Sequence, residues 1–181
     1  TDTDTDADAL LCTGNFEVWD EDDLVELEGC TIIKGSLFIG DIDELGHEAT
    51  GTTLSNLHAL ANLTEITGDL ELYYNNSLTN LDDLSNLTKV GGMLYIGKNA
   101  VLTDLDGLSS LTAVDDALFI EENLALNDLD GLSSLAAPPG ELLVIENNAS
   151  LCQSLVTAFV HAMEALGWSG FSYVSDNDHD C

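Results

Sequence analysis

Positive charge is nearly missing from this sequence. Against 34 aspartates and glutamates stand three cationic side chains, Lys34, Lys89 and Lys98, and the formal net charge is −31. Phosphate backbones are held by Lys and Arg, so nucleic acid is excluded as a partner and anionic membrane surfaces are disfavoured. A lyase acting on anionic polysaccharide would need the same cations. A surface of this sign favours cations, solubility and high-salt surroundings. Long apolar runs are also missing, and none reaches the roughly 18 residues that cross a bilayer. No C-x-x-C pair of the zinc-binding kind occurs. There is no initiator Met and no signal peptide, and the chain reads as a mature or trimmed fragment. The four histidines, His47, His58, His161 and His179, are scattered and mark no Ser/His/Asp arrangement. With acids everywhere, no carboxylate pair stands out for glycoside hydrolysis. The expectation is a protein that is not an enzyme.

What the chain does have is a repeat. "TEITGDLELYYNNSLTNLDDLSNL" (64–87), "TKVGGMLYIGKNAVLTDLDGLSSL" (88–111) and "TAVDDALFIEENLALNDLDGLSSL" (112–135) align without a gap at a period of 24 residues. A fourth unit opens at 136. An earlier one opens with "TIIKGSLFIG" (31–40) and closes with "LSNLHALANL" (54–63), interrupted by a loop insertion over 40–53. Residues 1–10, beginning "TDTDTDADAL", read as an acidic spacer or tail. Residues 11–181 read as a single unit.

Apolar columns run through the units. Leu70, Leu94, Leu118 and Leu143 form one, and Leu72, Ile96, Ile120 and Ile145 form another two residues later, which is strand alternation. The L-x-x-L-x-x-L series Leu81, Leu84, Leu87 and its equivalents suits a short helical or irregular turn. One such coil cannot bury its leucines alone, whereas stacked coils share a continuous core. The expected fold is therefore a mainly β solenoid of about 24-residue coils with a parallel sheet.

Three residues after each strand comes Asn75, Asn99, Asn123 or Asn148. An Asn at a stacked turn bonds the backbone of its own and neighbouring coils, so these are expected to form a structural ladder. Asn62, Asn75, Asn86 and Asn148 also lie in N-x-[ST] sequons, and the ladder role disfavours glycosylation of Asn75 and Asn148. Asp82, Asp106 and Asp130 are expected to cap the short turns. The D-x-D-G pieces Asp104/Asp106 and Asp128/Asp130 also share part of a calcium loop. They lack its full spacing, so calcium is the secondary reading and no other cofactor is expected.

Four cysteines lie in two pairs near the ends. Cys12–Cys30 and Cys152–Cys181 bridges would staple those ends, whereas other pairings would cross the whole array. Oxidised cysteines point to an extracellular or periplasmic setting. "NFEVWDEDDLVELEGC" reads as an incomplete first coil with Phe16 and Val18 inward. A capping helix over about 151–166 is expected to turn Leu151, Leu155, Phe159, Met163 and Leu166 inward and to stop at Gly167. "GFSYVSDNDHDC" supplies a last strand, with Asn177 in the ladder position. A divalent-ion site at Asp176, Asp178 and His179 is the lesser reading of that tail.

Cys12, the stretch "DLVELEGCTIIKGSLFIG" (23–40), the repeated L-x-I-x-x-N-x-x-L and the closing "LCQSL…C" carry a resemblance to the receptor L-domain family, covering about residues 10–181. The resemblance implies a right-handed parallel β-helix-like solenoid with disulfide-closed ends. It also implies extracellular recognition through sheet surfaces or loops. The chain lacks the cysteine-rich and kinase regions of the animal receptors and looks more like bacterial or fungal surface versions, so no ligand carries over. A leucine-rich-repeat horseshoe fits less well, because its spacing does not accommodate the four-residue step from Ile66 to Leu70.

If Leu70 and Leu72 point inward, the residues between and beside them point outward. That outer face reads Phe38, Glu71, Tyr95, Phe119, Val144 and Tyr173, beside Met93, Leu142 and Phe171. An apolar, aromatic column on so acidic a chain marks an expected interface. The expected function is a non-enzymatic binding or adhesion module at the cell surface. Its partner is expected to be a protein or a glycan. The alternative is a structural subunit that binds copies of itself in a filament or surface layer.

Overall fold

A computed structural model describes residues 10–40, 52–136, 139–178 and 181. Residues 1–9 of the expected acidic spacer, the core of the insertion with His47, and His179 of the lesser ion-site reading fall outside these residues. The chain is mainly β, with two parallel sheets and a C-terminal helix. Each 24-residue unit makes one coil with three sides: a short strand, a longer strand and a single 3₁₀ turn.

In chain order the strands are β1 (Leu10–Thr13), β2 (Phe16–Val18), β3 (Cys30–Lys34), β4 (Leu37–Gly40), β5 (Glu65–Ile66), β6 (Leu70–Tyr73), β7 (Lys89–Val90), β8 (Leu94–Gly97), β9 (Ala113–Val114), β10 (Ala117–Glu121), β11 (Leu142–Glu146) and β12 (Phe171–Ser175). The odd strands up to β9 form a five-stranded sheet in the order β1-β3-β5-β7-β9. The others form a seven-stranded sheet in the order β12-β11-β10-β8-β6-β4-β2. The third side stacks the 3₁₀ turns Val25–Leu27, His58–Leu60, Asp82–Leu84, Asp106–Leu108 and Asp130–Leu132.

Register explains why the repeat is so strict. Leu37, Leu70, Leu94, Leu118 and Leu143 lie side by side across the large sheet, as do Ile39, Leu72, Ile96, Ile120 and Ile145. All are shut away from solvent. A slip of one residue would turn each set outward. The threonine that opens each unit has its own use. The Thr64, Thr88 and Thr112 hydroxyls donate to the main-chain carbonyls of Thr31, Thr64 and Thr88 at 2.9, 2.9 and 3.0 Å.

After each long strand the chain turns through a left-handed corner at Tyr74, Lys98, Glu122, Asn147 and Asp176, with φ between 55° and 59°. The conformation is costly for Tyr, Lys and Glu and is better tolerated by Asn147 and Asp176. It recurs because it delivers the next residue, an Asn, into the interior. There Asn75, Asn99, Asn123 and Asn148 are fully buried. The main-chain N–H groups of Asn75, Asn99, Asn123 and Asn148 donate to the side-chain oxygens of Asn99, Asn123, Asn148 and Asn177 at 2.9, 3.0, 3.0 and 3.2 Å. Each amide NH₂ donates in turn to a strand carbonyl of the preceding coil, from Asn75 to Ile39 through Asn177 to Ile145. Thr52 starts the ladder, its hydroxyl donating 2.8 Å to the Asn75 side-chain oxygen.

The turn capping differs from expectation. No side chain of Asp82, Asp106 or Asp130 caps its turn; those residues are the first of each turn. The acceptor lies two positions earlier: Asn56, Asn80, Asp104 and Asp128 each take the N–H of the first turn residue at 3.1–3.3 Å. The reason is that a 3₁₀ turn is too short to bring its own first side chain back, whereas an Asx two residues upstream closes a local ring. The repeated "DGL" also has a steric cause. A Cβ at Gly107 or Gly131 would run into the carbonyl of Leu81 or Leu105. The same position in the second unit is Asp83, whose carboxylate instead takes the Leu57 N–H at 2.9 Å and contacts His58 at 2.7 Å.

Both ends are closed. Cys12 is bonded to Cys30 and Cys152 to Cys181. In the first coil Val18, Leu24 and Leu27 are buried. Its helix α1 (Glu21–Leu24) is held by a reciprocal cap between Asp20 and Asp23. At the other end helix α2 (Gln153–Ala165) replaces the 3₁₀ turn. Its stripe is rotated from the expected one. Val156, Phe159, Val160 and Met163 face the core, while Leu155 and Leu166 remain 42% and 48% exposed. Leu151 stays in its coil column ahead of the helix, so the helical phase starts later than a stripe drawn through Leu151 assumes. Gly167, at φ 95°, ends α2 in a Schellman turn: Trp168 N–H donates to Met163 and Gly167 N–H to Glu164.

Candidate functional site: the outer face of the large sheet

Residues on the outer face alternate with the buried columns. In register, Glu17, Phe38, Glu71, Tyr95, Phe119, Val144 and Tyr173 form the central column. Met93, Leu142 and Phe171 lie in the column before it. Phe38, Met93, Tyr95, Phe119 and Leu142 are half-buried, because neighbouring side chains on the face pack against one another. Val144, in register between Phe119 and Tyr173, is only 7% exposed. Phe171 and Tyr173, on the edge strand β12, are 74% and 62% exposed.

The rings touch. Tyr95 lies 5.6 Å from Tyr73 and 5.9 Å from Phe119, and Tyr73 meets Tyr74 edge-on at 4.6 Å. Four rings from three coils therefore form one surface. Gly97 makes room for it, because a Cβ there would strike the Tyr95 ring. Tyr95 donates its hydroxyl to Glu121 at 3.3 Å. Burial, and then the charge of Glu121, keeps this phenol neutral far above its usual range.

Carboxylates frame the rings. Burial, then the neighbouring Asp69, raises the pKa of Glu71. Burial also raises that of Glu121; the Tyr95 hydrogen bond opposes the shift and Glu146 and Glu122 add to it. Asp69 is used internally, one oxygen accepting the Met93 N–H at 2.8 Å. Lys98 is the one cation on this face among the described residues. Its ammonium donates to the Tyr74 hydroxyl at 3.1 Å, stands 3.7 Å from Glu122, and lies 5.0 and 5.6 Å from the Tyr74 and Tyr73 ring centres. The tyrosine contacts hold it protonated, above the usual lysine value.

Tyr73, Tyr74 and Lys98 were not among the residues the sequence singled out. In the alignment Tyr73 shares its position with Gly40, Gly97, Glu121 and Glu146, so no apolar column appears there. Tyr74 and Lys98 fall on a corner that pattern alone reads as loop. The doubled "YY" of the unit 64–87 was the available signal.

The other candidates converge less. Asp104 and Asp128 serve the turns, and among the described residues no group of three or more His, Cys, Asp or Glu is placed to hold a metal. An open groove of about 510 Å³ runs between α2 and the last 3₁₀ turn, lined by Leu129, Leu132, Leu155, Phe159 and Leu166. No helix among the described residues is long and apolar enough to cross a membrane. Against known proteins, the family model described as Receptor L domain matches residues 29–161, well over half of the chain. No curated protein matches it.

Proposed function

The chain belongs to the receptor L-domain family, a family of ligand-binding domains, and from that premise we propose that it is a non-enzymatic recognition module that takes its ligand on the outer face of the large sheet. The observation that carries this reading is the run of touching rings Tyr73, Tyr95 and Phe119 across adjacent coils. Large rings fixed on a regular sheet lose little freedom on binding and act as anchors. The two disulfides fit an oxidising, extracellular or cell-surface setting. The coil is taken as right-handed, the usual hand of parallel crossovers. No cofactor enters the reading, and calcium at Asp104, Asp106, Asp128 and Asp130 remains its minor variant.

The test is selection of binders from a displayed peptide library and a glycan array, followed by competition with the Y95S/F119S double variant. Binders are expected to be lost, with the far-ultraviolet spectrum unchanged because both side chains lie outside the core. Binders that hold equally well to the variant would place recognition elsewhere and sink the reading.

One observation favours self-assembly as a second reading. Most large exposed apolar side chains among the described residues lie at the two ends, Leu10, Leu11, Trp19 and Val25 in the first coil and Leu155, Leu166, Phe171 and Tyr173 in the last, with Val101 and Leu124 between them. Edge strands β2 and β12 lie at those ends in the same parallel sheet. Stacking of copies would be seen as open-ended mass growth in light scattering of the oxidised protein; a concentration-independent monomer would exclude it.

A further inference from the structure

Resting on the recognition face proposed above, we infer that its ligand is a basic polypeptide segment, whose Lys or Arg side chains seat on the Tyr95–Phe119 rings between Glu71 and Glu121.

Three features of the face carry this. First, the rings already hold a cation. Lys98 lies over Tyr73 and Tyr74 with its ammonium 3.7 Å from Glu122, a ring-plus-carboxylate seat of the kind that stabilises ammonium and guanidinium groups. Second, the neighbouring seat has the same parts and no cation. Tyr95 and Phe119 form the adjoining ring pair, Glu71 is the register neighbour of Tyr95, and Glu121 accepts the Tyr95 hydroxyl. Lys98 acts on this seat only through the smallest of the charge influences on Glu121, its ammonium being held at Tyr74 and Glu122, and Lys34 and Lys89 lie on β3 and β7 of the other sheet. Third, the carboxylates here crowd one another. Glu121 is set against Glu146 and Glu122, and Glu71 against Asp69. An arriving cation relieves that repulsion as well as meeting the rings. The molecular charge of −31 adds long-range steering of a cationic partner and repels a second copy of this chain. Neutral sugars would use the rings and leave the crowded carboxylates unrelieved.

A chain this acidic attracts any polycation, so the test must separate the face from the bulk field. Hexa-arginine peptide is titrated calorimetrically into the oxidised full chain at about physiological salt, where the Debye length is about 8 Å. Three double variants are compared with the parent: E71Q/E121Q on the face, Y95L/F119L for the rings, and E26Q/E28Q on the exposed turn of the first coil. The first two are expected to weaken binding about tenfold each, and E26Q/E28Q less than about twofold. Equal weakening by E71Q/E121Q and E26Q/E28Q would mean attraction by net charge alone and would overturn the inference, as would absence of binding by the parent. Cellohexaose binding that Y95L/F119L abolishes, with hexa-arginine indifferent to E71Q/E121Q, would keep the recognition face and reject its basic ligand. Library binders that ignore Y95S/F119S would reject both.

Discussion

At the scale of single residues, the asparagine ladder carries the sharpest stability prediction. Asn99 receives the Asn75 N–H and donates to the Leu72 carbonyl, both inside the molecule. In N99A those two buried groups lose their partners. At about 1–3 kcal/mol for each orphaned group, the loss is about 2–6 kcal/mol, measurable as a lower urea midpoint with unchanged m-value. A loss below about 0.5 kcal/mol would show that the ladder is dispensable. N99D is expected to be no better, since it keeps the acceptor but buries a charge and removes the donor. The ladder was legible because Asn recurs at one position and because an Asn buried at a turn has few other uses. Thr52, its first rung, was not legible. It follows the long insertion and breaks both the spacing and the residue type.

At the scale of elements, α2 shows where periodicity alone misleads. A stripe drawn from Leu151 selects Leu155 and Leu166; the helix buries Val156 and Val160 instead. Leucine in "SLCQSL" signals two different things, a coil column and a helix flank, and the pattern does not say where one ends. F159A is therefore expected to cost about 3–5 kcal/mol, while L155S stays within about 1 kcal/mol; thermal melts of the two variants decide it. The turns teach a related lesson. Substituting Asp104 or Asp128 with Ala should lower stability by about 0.5–2 kcal/mol, the cost of losing an N–H acceptor at a turn. The same change at Asp106 or Asp130, whose side chains cap nothing, should cost less. Comparable losses at all four positions would contradict the assignment of the cap. Strands, register and the outer column were readable from alternation. The ring cluster was not, since Tyr73, Tyr74 and Lys98 meet only when successive coils are stacked.

At the scale of the whole molecule, acidity sets the pH response. Glu71 and Glu121 have folded-state pKa values above their ordinary ones. Between the ordinary and the raised value the folded state binds more protons than the unfolded one, so stability rises as pH falls through that window. The protein is expected to melt at a higher temperature near pH 5 than at pH 7, and the E71Q/E121Q variant to show a smaller gain. A parent that melts lower at pH 5 would contradict the assignment. Added salt at pH 7 should also raise the melting temperature, by screening the −31 charge.

The direction of the bonds between coils has a mechanical consequence. Sheet pairing, the threonine bonds and the asparagine ladder all join one coil to the next, so they run along the stacking direction. Tension applied between the two ends therefore loads the rungs in sequence rather than all together. Such a stack yields coil by coil at low force. Each yielding coil releases 24 residues of chain, about 80 Å when drawn out. The two cystine bridges leave the first and last turns unable to unravel completely. A pulled molecule would thus lengthen in repeated, recoverable steps between two fixed ends, behaving as an extensible tether and not as a rigid rod.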